Sequence, residues 1–147
     1  ERFFLDHLPA FPEYMPMEPI AILRGRVIHG KGLGRTVGMP TANLDVSRSS
    51  EIPPEGVYAS IARVRSGSYY AVTNIGTRPS VDSSPKLTIE TNIIDFDEDI
   101  YGEDMIVEIM AYLRPIKRME GIEEVKKQVD ADKLEARKIL SAEPLFV

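Results

Sequence analysis

The chain has 147 residues, 43% hydrophobic and 28% charged, with a net charge of −5 and no cysteine. That length fits one domain able to bury a real core. The composition excludes a disulfide scaffold, a thiol nucleophile and a zinc–cysteine site, and the acidic balance gives no general drive towards nucleic acid or an anionic membrane. No apolar run approaches the length of a membrane span and no secretory pattern is present, so a cytoplasmic protein is expected.

Residues 1–19 carry prolines at 9, 12, 16 and 19. Repeated proline forbids a continuing helix or a central strand, so an extended lead-in or linker is predicted, with the domain proper at 20–147. The chain opens on Glu1 rather than Met, which leaves room for a preceding domain. Residues 20–29 read as a strand that Gly25 interrupts as a bulge or a close approach.

The stretch from Gly25 to Asn43 holds five of the ten glycines, at 25, 30, 32, 34 and 38, and ends in Pro40-Thr41-Ala42-Asn43. Between residues 20 and 48 stand five basic side chains (Arg24, Arg26, Lys31, Arg35 and Arg48) and one acid, Asp45. Glycines let a backbone approach a ligand, successive N–H groups bind anions, and a lysine adds a point charge. The oxygens of Thr41 and Asn43 suit a hard cation such as Mg²⁺. These features suggest a nucleotide-phosphate site with a metal, against the more frequent reading of a plain surface turn. Gly25, Gly30 and Lys31 match G-x-x-x-x-G-K, but Gly32 stands where a P-loop needs Ser or Thr, and Gly34, Gly38 and Pro40 oppose the helix that should follow. A loop between extended segments is expected instead.

Residues 44–55 are polar and end in a turn at Pro53 to Gly56. Strands follow at 56–65, 69–76, 86–96 and 105–114, the first two as a hairpin. Short strands without intervening helices mean antiparallel β, a sandwich or a barrel. The acidic run Asp95, Asp97, Glu98 and Asp99 fails as a calcium loop, because Ile100 and Ile106 fall where Gly and Glu are needed, and reads as a solvated hairpin tip. In the strand around Glu90, Ile89, Thr91 and Ile93 form the expected core face, so Glu90 points to the polar side with Thr88 and Asn92. There it is an ordinary exposed acid or a general base for a hydroxyl substrate. From Gly121 to Ala142, Ile122, Val125, Val129, Ala136 and Leu140 follow helical spacing, with a break expected near Asp130-Ala131-Asp132.

Several blocks then match one family in order and spacing: GKGLGRTVGMPTANL (30–44), PEGVYA (54–59), TNIGTRPSV (73–81), TIETNIIDFDEDIYGE (88–103) and YLRPIKRM (112–119). Over roughly residues 22–140 the chain resembles riboflavin kinases of the bacterial and eukaryotic type, like the kinase domain of bifunctional FAD synthetase. The resemblance implies a mainly β fold, a six-stranded antiparallel Greek-key barrel with a C-terminal α-helix. It implies transfer of the γ-phosphoryl of ATP to the ribityl 5′-hydroxyl of riboflavin, giving FMN, with Mg²⁺. It would make Glu90 the base. Gly25, Lys31, Gly32, Gly34, Gly38, Thr41 and Asn43 would bind nucleotide, with Thr41 and Asn43 on the metal, and the stretch from Arg114 to Met119 would line the flavin. Asn92 stands where the family usually has His, and Met119 where it usually has an aromatic residue. No H-x-G-H element of a nucleotide transferase occurs, so this chain alone would stop at FMN. The rival reading is a non-catalytic flavin- or nucleotide-binding module of a larger protein.

Overall fold

Six segments with alternating or doubly apolar character pair into one closed sheet. A computed structural model describes residues 17–28, 41–46, 51–79 and 85–141. The strands are β1 (Ala21–Ile28), β2 (Ala42–Val46), β3 (Gly56–Val64), β4 (Gly67–Pro79), β5 (Pro85–Ile93) and β6 (Asp104–Arg114), followed by helix α1 (Ile122–Leu140). The sheet closes as a barrel in the order β1-β2-β5-β4-β3-β6, with every pairing antiparallel. The expected six-stranded barrel with a C-terminal helix is therefore the observed fold, and closure leaves no sheet edge exposed.

The two faces of the sheet bury different sets. Leu23, Val27, Leu44, Ile75, Ile89, Ile93, Val107 and Ile109 fill the barrel. On the outside, Val57, Ala59, Ile61, Val72 and Met110 meet Ala136 and Leu140 of α1. β3 is thus buried on both sides, which its run GVYASIARV allows because inward and outward positions alike are small or apolar. Within the barrel a chain of hydroxyls crosses three strands: Ser60 Oγ lies 2.7 Å from Thr73 Oγ1, which lies 3.0 Å from Thr91 Oγ1. Each satisfies the other within the barrel, as buried hydroxyls must.

Three expectations are corrected. The polar stretch after residue 43 contains β2, a strand whose alternate residues Ala42 and Leu44 are buried while Asp45 is exposed. The acidic run is no hairpin tip, because β5 and β6 are not neighbours in the barrel. Residues 94–103 instead cross from one strand to the other, bury Ile100 in the barrel core and tie to β1 through Gly102 N–H to Val27 O at 2.8 Å and Val27 N–H to Glu103 O at 2.9 Å. Asp95 turns this segment with a φ of 56°. Finally, α1 runs unbroken through Asp130-Ala131-Asp132. Asp132 is buried there because Arg114, at the end of β6, grips it with two hydrogen bonds of 2.9 and 2.7 Å, and Gln128 adds one of 3.0 Å.

Gly25 forms no bulge. It pairs regularly with Val46 and Met105, and a Cβ there would stand 2.1 Å from the Asp45 carbonyl oxygen. The close approach of β2 to β1 accounts for glycine at this position.

Candidate active site

The strand period carries the site. Ile89, Thr91 and Ile93 turn into the barrel, so Glu90 faces outward, as the sequence predicts. Directly opposite it stand Asn43 on β2 and Asn74 on β4. Residues opposite one another in an antiparallel ladder share a face, with Cβ atoms about 4.5–5.5 Å apart. Asn43, Glu90 and Asn74 therefore form one polar row across three strands, each half-buried. Among the described residues no hydrogen bond or ion pair holds the Glu90 carboxylate.

Thr41 enters β2 two residues before Asn43 and lines a cavity of about 460 Å³ at the barrel end. Val27, Ala42, Ile93, Phe96, Ile100 and Tyr101 give it apolar walls, and Thr91 offers the end of the hydroxyl chain. Asp97, Glu98 and Asp99 form an acidic rim. The crossing segment 94–103 therefore builds one wall of the cavity. Sequence reading missed this because it treated the segment as a turn between paired strands.

The remaining expected residues divide. Lys31, Gly32, Gly34 and Gly38 lie outside the described residues. Arg114 is committed to Asp132 and donates a further hydrogen bond of 3.0 Å to Pro115 O. Met119 is half-buried in the irregular segment between β6 and α1. Asn92 is buried opposite Val72, at the margin of the surface that α1 covers. Among the described residues no cluster of three or more His, Cys, Asp or Glu could hold a metal. Thr41 and Asn43 offer a hydroxyl and a carboxamide oxygen, neutral hard donors without a carboxylate, so Mg²⁺ held there would need substrate phosphates and water to complete its shell.

Among the described residues, the closed barrel thus carries a cavity lined in part by Thr41 and, on its outer face, the Glu90 carboxylate between the carboxamides of Asn43 and Asn74. The family model for riboflavin kinase matches residues 18–140. The chain belongs to the riboflavin kinase family. It is 39% identical over 121 residues to the bifunctional riboflavin kinase/FMN adenylyltransferase of Bacillus subtilis (strain 168), covering 81% of this chain and 38% of that protein. Among solved structures, a crystal structure described as a macrolide-efflux protein from Streptococcus pneumoniae aligns with a TM-score of 0.75 and 33% identity, over 81% of this chain and 38% of that one. The riboflavin kinase of Trypanosoma brucei aligns with a TM-score of 0.58 and 21% identity, over 82% of this chain and 79% of that one, and shares the fold. The chain spans less than half the length of the curated relatives it matches.

Proposed function

We propose that this protein is a riboflavin kinase that transfers the γ-phosphoryl group of ATP to the ribityl 5′-hydroxyl of riboflavin. The observation that carries this reading is the register of Glu90 against Asn43, which sets a carboxylate beside the Thr41–Asn43 corner. The cavity next to Thr41 receives the nucleotide: its apolar walls suit a base, and its acidic rim steers the phosphates away towards Thr41. Mg²⁺, when bound by Thr41 and Asn43, neutralises charge on the phosphates.

Glu90 accepts the proton of the 5′-hydroxyl. The oxygen forms its bond to the γ-phosphorus as the bond from that phosphorus to the β,γ-bridging oxygen breaks, so ADP leaves and FMN forms. Little covalent help from the protein is required, because alignment and charge stabilisation supply the catalysis. Lys31 with Gly32, Gly34 and Gly38 covers the phosphates, and the segment from Arg114 to Met119 borders the flavin. No helix among the described residues is long and apolar enough to cross a membrane, and we place the activity in the cytoplasm. A further domain in a longer chain is compatible with the partial coverage of the relatives.

Incubation with ATP, Mg²⁺ and riboflavin, followed by chromatography, tests the proposal. FMN and ADP should appear in equal amounts. Tight flavin binding without FMN at any magnesium concentration would instead identify a binding module.

A further inference from the structure

We propose that Asn74 is a specificity-determining residue of this site: its carboxamide binds the substrate hydroxyl next to the one that reacts, and so selects which hydroxyl reaches Glu90. This rests on the riboflavin kinase reading above. Asn74 lies directly opposite Glu90, on the side away from Asn43. In-line transfer sets the attacking and leaving oxygens on opposite sides of the phosphorus. With the phosphates on the Asn43 side, the rest of the acceptor must leave Glu90 towards β4, across Asn74.

The local structure gives Asn74 little else to do. Asparagine is a poor strand former, yet it occupies the middle of the 13-residue β4. Among the described residues its side chain has no hydrogen-bond partner. One strand further along the row, Val57 is 1% exposed beneath α1, so Asn74 marks the boundary between the dry helix interface and the polar row. Two residues along the same face, Gly76 leaves bare backbone. Among the described residues a Cβ there would meet nothing closer than Thr88 Oγ1 at 3.8 Å, so neither packing against them nor a positive φ requires glycine. The surface beside Asn74 is thus cleared for a ligand. A carboxamide both donates and accepts, which matches a secondary hydroxyl that must do both.

The test compares riboflavin with its 4′-deoxy analogue in the wild type and in Asn74→Ala. The wild type should use the analogue about tenfold less efficiently, the worth of one hydrogen bond. Asn74→Ala should raise the KM for riboflavin by about the same factor and abolish the preference, with the KM for ATP and the melting temperature unchanged. A wild type that makes FMN while Asn74→Ala retains the riboflavin KM and the 4′ preference overturns the Asn74 assignment alone. A wild type that makes no FMN overturns both this assignment and the kinase reading.

Discussion

Glu90 of β5 and Asn43 of β2 are register partners on the outer face of the barrel. The pairing follows from the inward placement of Ala42 and Thr91 one position away, which are themselves partners. Slipping β2 by one residue would bury Asn43 and expose Ala42 and Leu44, so the core enforces the arrangement of the site.

Glu90→Gln keeps the shape of that row and removes the proposed proton acceptor. Turnover should fall by about a hundredfold or more while flavin and nucleotide still bind. Rapid-quench measurement of FMN formation, beside equilibrium titration of both ligands, checks this. Turnover within a few-fold of wild type would place the base elsewhere.

Thr41→Ala removes a hydroxyl from the cavity wall next to Asn43. A large loss of turnover is expected, and raised Mg²⁺ should restore only part of it, because in the proposed site Asn43 and the phosphates would still hold the ion. Full restoration, or no loss at all, would rule out a metal role for Thr41.

The strands and the orientation of Glu90 were legible because a period of two is written in Ile89, Thr91 and Ile93. β2 was hidden by its brevity: ANLDV spends two of five residues on Asn and Asp. The cavity wall at 96–101 was hidden for a topological reason, since local pattern cannot tell a hairpin from a crossing between strands that are not neighbours. Asp132 was misread for a related cause. Apolar periodicity does not register a buried charge whose partner, Arg114, lies 18 residues away on another element.

That ion pair makes its own prediction. The side chains of Arg114 and Asp132 are 19% and 7% exposed, so loss of either leaves a desolvated charge. Asp132→Ala should destabilise the fold by about 3 kcal/mol, whereas the double change Arg114→Met with Asp132→Leu should recover most of the loss. Urea unfolding of the three proteins measures this. Equal stability of Asp132→Ala and wild type would mean the pair contributes nothing to docking α1.

Gly25 separates a structural from a ligand-binding role. A Cβ would collide with backbone, at 2.1 Å from the Asp45 carbonyl oxygen and 2.7 Å from its carbon. Neither atom can swing aside, so Gly25→Ala should cost about 3 kcal/mol or more. The expected readout is a markedly lower melting temperature or loss of soluble protein. An unchanged melting temperature with a raised KM for ATP would instead assign Gly25 to the nucleotide.

Tyr58 predicts the alkaline behaviour of the fold. Its ring is buried, its hydroxyl donates to Pro54 O at 2.7 Å, and Tyr112 packs edge-on with ring centres 5.4 Å apart. Burial raises its pKa above the ordinary tyrosine value of 10.0, and the neighbouring Tyr112 phenol raises it further. The neutral form is therefore favoured in the folded state. A pKa raised on folding contributes stability that is fully present below pH 10 and is lost as the pH rises from there through the folded-state value. Stability should accordingly decline above about pH 10, where the unfolded chain ionises this phenol and the folded one resists. Tyr58→Phe should be less stable at neutral pH by about 1 kcal/mol, the net worth of the lost hydrogen bond. It should also decline less steeply above pH 10, so the two stability curves converge. Urea denaturation from pH 7 to 11 measures both effects, and parallel curves would show that Tyr58 ionises alike in the folded and unfolded chains.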